Sequence, residues 1–285
     1  MNLVNKLVLG TVQFGLDYGI NNCTGKVTES EVSKILSLAK KEGINNIDTS
    51  YAYGDSEVVL GKVITDTHYD FRVVSKYPPS KYSVIELFKK TLERLQSNNI
   101  YGYLIHDFDF YQSHPEIWTE MKFLRNNGMV EKIGFSLYTV NELEFLLNHG
   151  IDFDVLQFPY NLLDRQFESY FPLLKKMNVE IYTRSVFLQG LFFKELENIP
   201  SSISPLKSYL HEIHQYCSSK GMSVEQCALS FVLRNFHIDG VLIGVDNALQ
   251  LEKNIEVAKN TVDVAEFVSP IKKEEYYLLN PSNWG

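Results

Sequence analysis

The chain has 285 residues, 45% hydrophobic and 22% charged, with a formal net charge of −8 and a pI near 5.4. That length suits one α/β barrel, which takes about 250 residues, and it buries roughly three quarters of the unfolded surface. The acidic balance argues against a nucleic-acid surface, which needs a basic stripe, and falls short of the charge excess of a disordered chain.

In chain order, short apolar runs alternate with longer amphipathic ones, the mark of repeated βαβ units. A first strand is predicted at Lys6–Gly10, followed by a helix over Thr28–Glu42. Thr28 is the N-cap, Glu31 sits at the capping-box position, Val32, Ile35, Leu36 and Ala39 fall at helical spacing, and Gly43 stops the helix. Strands are then predicted at Asn45–Asp48 and Phe71–Lys76, a helix at Ser83–Gln96, a strand at Gly102–His106 and a helix at Pro115–Asn127. A strand at Glu131–Phe135, a helix at Val140–Asn148, a strand at Val155–Phe158, a helix at Phe167–Asn178 and a strand at Glu180–Thr183 follow. After an irregular stretch from Ser185 to Pro205 come helices at Leu206–Ser219 and Ser223–Asn235, a strand at Gly240–Gly244 and a helix at Ala248–Lys259.

Eight short apolar strands fit a parallel sheet buried on both faces. We expect it to close as a single (β/α)8 TIM barrel domain over residues 1–285. The rival is an open doubly wound sheet, which usually carries GxGxxG after its first strand when it binds a dinucleotide. Gly10-Thr11-Val12-Gln13-Phe14-Gly15 lacks that spacing. The stretch after the seventh strand then falls on the active-site face of a barrel, as a loop over the site. Cys23, Cys217 and Cys227 form neither a CxxC pair nor a disulfide framework, which fits a reducing compartment. No signal-like segment opens the chain and no run approaches the ~20 apolar residues of a membrane span, so no membrane partner and a cytoplasmic location are expected.

Polar residues at the C-terminal ends of barrel strands read as catalytic. Asp48, Lys76 and His106 end the second, third and fourth strands, and Tyr53 follows Asp48 in Ile47-Asp48-Thr49-Ser50-Tyr51-Ala52-Tyr53-Gly54. Carbonyl reduction needs a proton for oxygen and a hydride for carbon. A tyrosine can supply the proton, and a lysine ammonium beside it favours the phenolate and lowers its pKa from ~10. An aspartate keeps the lysine charged and placed, and a neutral histidine can donate to the carbonyl oxygen. The hydride has to come from a cofactor. No His, Asp, Glu or Cys spacing suggests a metal.

Over nearly its whole length the sequence resembles the aldo-keto reductase family. The matching stretches include LGTVQFG, IDTSYAYGDSE, VVSKY, YLIHD, KIGFSLYT, LQFPYNLLDR, RSVFLQGL and VLIGVDNALQLEKN. The resemblance implies a tyrosine acid/base at Tyr53, assisted by Lys76 and Asp48, with His106 orienting substrate. It also implies cofactor contacts: Gly10, Thr11, Val12 and Asp48 near the nicotinamide ribose, Ser136 and Gln157 at the carboxamide, and Arg184 where many members stack a tyrosine on the ring. Ser185, Phe187 and Gln189 match the pyrophosphate loop, and Gly244, Val245, Gln250 and Asn254 the adenosine-phosphate segment.

That last segment lacks the cations that pair with a 2′-phosphate, and Asp246 stands close by. NADPH, the family default, therefore heads NADH only narrowly. Arg184 has a second reading as the partner of a carboxylate such as Asp154, and Gln157 as a structural hydrogen-bonder. Tyr18, Tyr51, Tyr77, Phe108, Phe110, Phe158 and Phe187 are candidates for lining a substrate pocket or for packing. Few residues precede the first strand, so the β-hairpin that plugs the barrel bottom in many members is expected to be missing, and the bottom is closed otherwise or by a partner. The expected function is NAD(P)H-dependent reduction of an aldehyde or ketone to an alcohol. The opening LGTVQFGLDYGI resembles members that accompany surface-polysaccharide and nucleotide-sugar enzymes, which points to a sugar-derived substrate. Two alternatives stand beside it: a cofactor-binding regulatory protein with vestigial turnover, and a sugar epimerase or isomerase with a recycled cofactor.

Overall fold

The computed structural model describes residues 2–20, 22, 25–264 and 270–284; Cys23 lies outside them. Among these, eight parallel strands close into a barrel in sequence order. They are β1 (Leu7–Gly10), β2 (Asn46–Asp48), β3 (Arg72–Tyr77), β4 (Ile100–Ile105), β5 (Val130–Ser136), β6 (Val155–Pro159), β7 (Glu180–Arg184) and β8 (Gly240–Gly244). Closure comes from β1 pairing β8, with Gly10 opposite Gly244, and it excludes the open doubly wound sheet. The predicted strands differ from these only at their ends.

The outer layer holds α1 (Val12–Gly15), α2 (Glu29–Lys41), α3 (Ser56–Thr67), α4 (Val84–Leu95), α5 (Phe108–Ser113) and α6 (Ile117–Asn126). It continues with α7 (Val140–Asn148), α8 (Phe171–Lys176), α9 (Leu206–Lys220), α10 (Val224–Leu233) and α11 (Ala248–Lys259). Thr28 caps α2 by accepting from the Glu31 N–H, but the box stays half made. The Glu31 carboxylate instead takes Lys34 and the Ala248 N–H, joining α2 to the start of α11. The expected helix over Phe167–Asn178 is shorter, because Glu168–Tyr170 forms a 3-10 turn and α8 starts at Phe171 with Pro172 in its first turn.

The sequence reading missed α3. Its sequence, SEVVLGKVITDT, is rich in β-branched residues and carries Gly61 in its middle, a poor helix former by propensity. Tertiary packing overrides that. A Cβ at Gly61 would stand 2.4 Å from the Arg94 carbonyl oxygen, so only glycine lets α3 lie on the end of α4.

The main core lies between strands and helices, and a small cluster fills the barrel itself: Val8, Val74, Leu104, Val155, Tyr101 and Tyr182. Before β1 the chain makes one 3-10 turn, Val4–Lys6, whose Val4 joins the outer core. The bottom is closed from within by two tyrosines. Tyr101, on β4, donates to the Glu180 carboxylate on β7 at 2.6 Å, three strands away around the barrel, and the Arg72 guanidinium lies 4.7 Å from its ring. Tyr182 sits beside Gly240, where a Cβ would come within 3.0 Å of the ring.

Candidate active site

The strand ends at the other mouth gather the expected residues. Register sets Gly10 beside Asp48 and Asp48 beside Val74, so Asp48 and Lys76 stand on adjacent strands facing the barrel axis. Lys76 is fully buried. Its Nζ donates to Asp48 Oδ1 at 2.5 Å and to the Thr49 carbonyl at 2.9 Å, and it lies 5.1 Å from the centre of the Tyr53 ring. Asp48 Oδ2 accepts from Gln157 Nε2 at 2.8 Å. A buried ion pair survives only when its remaining polar atoms are satisfied, and these are.

Tyr53 is held by its turn. Thr11, Thr49 and Ser56 form a hydrogen-bonded cluster joining β1, β2 and α3. A Cβ at Gly15 would lie 1.8 Å from the Tyr53 carbonyl oxygen, and Gly54 takes φ +57° against the same stretch. The Tyr53–Gly54 turn therefore seats directly on the backbone of α1. The last residue of that signature, Glu57, turns away from the mouth. It is fully buried, accepts from Ser75 Oγ at 2.6 Å and stands 3.7 Å from Arg94.

His106 stands edge-on to Tyr53, ring centroids 5.7 Å apart. Its Nδ1 is 3.1 Å from Ser50 Oγ, which itself accepts the Ala52 N–H. Ser50 keeps its hydroxyl proton to give, and donation of that proton to Nδ1 puts the ring proton on Nε2.

Burial pushes the Tyr53 phenol above its ordinary value, and the Lys76 and Arg184 cations only oppose that. This corrects the expectation of a lowered tyrosine pKa: desolvation outweighs the lysine, so Tyr53 keeps its proton. For Lys76, burial alone would lower the pKa, but the Asp48 carboxylate and Tyr53 hold it above the ordinary lysine value. His106 is pushed down to about 3 by burial, with Lys76 and Arg184 adding to the effect, so it is neutral.

Above these groups lies a cavity of about 770 Å³, in the upper part of the size range of ligand sites. Gly10, Thr11, Val12, Asp48, Tyr53, His106, Ser136, Gln157, Arg184, Ser185, Phe187, Gln189, Gly244, Gln250 and Asn254 all line it. Two sequence candidates do not. Lys76 lies behind Tyr53, and Val245 is 1% exposed with its side chain in the core. Sequence reasoning left out Gln13, Tyr138, Phe193, Glu225 and Lys253, which also line the cavity. Gln13, Tyr138 and Lys253 stood in matched stretches and were legible; Phe193 and Glu225 reach the cavity only through the folding of loops and helices. Of the seven candidate aromatics, Tyr18 and Phe187 line the cavity. Phe108 and Phe158 are core, the Tyr77 hydroxyl donates to the Tyr82 carbonyl, and Tyr51 lies under Arg94.

Arg184 does not pair with Asp154, which is taken by Arg125 at 3.1 Å. Its Nη2 donates to the Leu137 carbonyl at 3.0 Å and its guanidinium lies 4.0 Å from the Tyr138 ring. The irregular stretch after β7 resolves into 3-10 turns at Leu188–Phe193, Leu196–Asn198 and Ser201–Ile203. Ser185, Leu188, Gln189 and Gly190 all take positive φ there, and Gln189 Nε2 donates to the Tyr18 hydroxyl at 2.5 Å, tying this loop to the one after β1. No helix among the described residues is long and apolar enough to cross a membrane.

The model of the aldo/keto reductase family matches residues 6–273. The chain is 24% identical over 281 residues to the uncharacterised oxidoreductase YqkF of Bacillus subtilis (strain 168), covering 90% of this chain and 91% of that one. It is 26% identical over 269 residues to the L-galactose dehydrogenase of Arabidopsis thaliana, covering 87% and 84%. Its fold matches the holo form of the aldo-keto reductase AKR11C1 from Bacillus halodurans with TM-score 0.71, at 19% identity over 96% and 90% of the two chains. It also matches PA4992 of Pseudomonas aeruginosa with TM-score 0.68, at 22% identity over 89% of each. With a family match that spans nearly its whole length and a (β/α)8 barrel to carry it, this chain belongs to the aldo/keto reductase family.

Proposed function

We propose that the protein reduces an aldehyde or ketone to an alcohol, with a nicotinamide cofactor supplying the hydride and Tyr53 the proton. The observation that carries this reading is the Asp48–Lys76–Tyr53 chain of buried contacts ending at the same cavity as a neutral His106. His106 Nε2 donates to the carbonyl oxygen and orients it beside the Tyr53 hydroxyl. As the oxygen gains electron density, Tyr53 releases its proton to it. Lys76 stabilises the phenolate left behind, and Asp48 keeps that lysine in place.

The cavity wall fits a dinucleotide. A Cβ at Gly244 would stand 2.6 Å from Gln13 Nε2, so the β8 end is kept bare. Gln13 Oε1 and Asp246 Oδ1 are buried there without partners, acceptors that suit a hydroxyl-bearing ligand. In this reading Ser136 and Gln157 hold the carboxamide; Gly10, Thr11, Val12 and Asp48 border the ribose; and Arg184 offers its plane to the ring. Ser185, Phe187 and Gln189 flank the pyrophosphate. Gly244, Gln250 and Asn254 take the adenosine end, where Val245 offers only its backbone. NADPH comes first, supported by Lys253 at that end. NADH is the second reading, favoured by Glu225 and Asp246. A sugar-derived carbonyl compound is our first substrate class, supported by the relative named L-galactose dehydrogenase. Tyr53→Phe tests the proposal. Fluorescence titration should find nucleotide binding intact while turnover falls by about 10²–10⁴-fold; full turnover in that variant would overturn it.

A further inference from the structure

Arg184 is a cation without an anion. Among the described residues no carboxylate lies within ion-pair distance of it. It is half buried at the end of β7, and it shares the cavity with Tyr18, Tyr53 and His106. One of its five N–H donors goes to the Leu137 carbonyl and one face lies on Tyr138, so the group is fixed in place while other donors remain unused. The second cation at this end, Lys76, is matched by Asp48. Arg184 therefore keeps its charge without an ion-pair partner, the buried Asp164 carboxylate acting on it only from beyond ion-pair distance, in a chain whose net charge is −8. A half-buried guanidinium held by a carbonyl and a ring, with no carboxylate of its own, is built to meet an anion brought by a ligand. Its reach to Tyr53 and His106, whose protonation its charge influences, places that anion beside the reacting carbonyl rather than at the far end of the cavity.

We propose that Arg184, backed by Tyr138, binds a carboxylate on the substrate, so that the enzyme acts on carbonyl compounds carrying an acid group in preference to neutral ones. This rests on the carbonyl-reduction reading and narrows its substrate class to aldehyde and keto acids. A guanidinium stacks through its plane and pairs through its edge, so this use is compatible with a nicotinamide ring over the plane.

The test uses the full chain and a pair of aldehydes of similar size, 4-carboxybenzaldehyde and its neutral methyl ester. The wild type should favour the acid in kcat/KM by about tenfold or more, mostly through KM, the scale of a charge-assisted hydrogen bond. In Arg184→Met the acid-to-ester ratio should fall to about one, whatever the variant does to both rates, and Arg184→Lys should restore part of it. Equal kcat/KM for acid and ester in the wild type, or a preference that persists in Arg184→Met, would overturn the proposal. So would a loss of nucleotide affinity in Arg184→Met with the acid-to-ester ratio unchanged, which would assign the charge to the cofactor alone. A second readout is independent of turnover: the dissociation constants of 4-carboxybenzyl alcohol and its methyl ester by ligand-observed NMR. Tighter binding of the acid that disappears in Arg184→Met supports the subsite, and equal binding refutes it. If neither aldehyde is reduced while the acid still binds more tightly, the reduction reading fails and the subsite stands.

Discussion

The two ends of this barrel are made from the same eight strands and solve opposite problems. At the bottom, Tyr101 and Tyr182 fill the interior, and the Tyr101 hydroxyl meets Glu180 while its ring lies under Arg72. At the top, Gly10 and Gly244 leave the wall bare while Asp48, Lys76 and Gln157 place buried polar groups below a cavity. One end uses volume to stabilise the fold. The other holds a desolvated ion pair, an arrangement that costs as much as it contributes unless every atom is matched. Substitutions at the bottom should therefore lower stability alone, whereas those at the top should separate stability from chemistry.

The largest effect belongs to Tyr53→Phe, with turnover down by about 10²–10⁴-fold. It removes no packing, so the thermal midpoint should stay close to wild type, and a large fall there would blur the contrast. Lys76→Met comes next and acts on both properties. It leaves Asp48 buried without its cation, which destabilises by about 3–5 kcal/mol, and urea unfolding beside steady-state assays should register both losses. At the opposite end, Tyr182→Ala should lose about 3–5 kcal/mol through the cavity it opens, with kcat per folded molecule unchanged. A variant at that site with normal stability and altered kcat would break the division between the ends.

Ser50→Ala is smaller and sharper. Without Ser50, His106 Nδ1 is free to take the proton, and the fraction of molecules with a donor at Nε2 falls. A drop in kcat/KM of about tenfold, with nucleotide affinity kept and a shift in the 15N signals of the ring, would mark a tautomer effect rather than a packing effect. The smallest effect is on pH dependence. The folded pKa of His106, about 3, lies below its unfolded value of 6.5, so the unfolded chain binds the extra proton. His106 therefore leaves stability intact above pH ~6.5 and removes it progressively as pH falls toward 3. The His106→Gln variant should show a shallower loss of stability over that window, and an identical pH profile would contradict a neutral buried imidazole.

Much of the top was legible in the sequence because its residues are local signals: Asp48, Lys76 and His106 each end an apolar run, and Tyr53 follows in a turn. Their pairing by register followed once the barrel was assumed. The bottom was not legible, since Tyr101 and Glu180 meet across the barrel and nothing in either strand announces the other. Gly240, the glycine that opens β8 beside Tyr182, was the available clue. The lost helix α3 failed for a related reason: its glycine reads as a breaker locally and as a contact surface only after α4 is in place. The sign of the Tyr53 shift was also beyond reach, because the depth of burial that outweighs Lys76 is a property of the assembled mouth.

Closure by the β1–β8 ladder has one further outcome. Every strand has a neighbour on both sides, so no row of unpaired backbone N–H and C=O groups is left as a template for another chain. Self-association by strand addition is thereby closed to the native barrel, and any complex it forms has to be built from helix faces and loops, where side chains rather than backbone decide the partner.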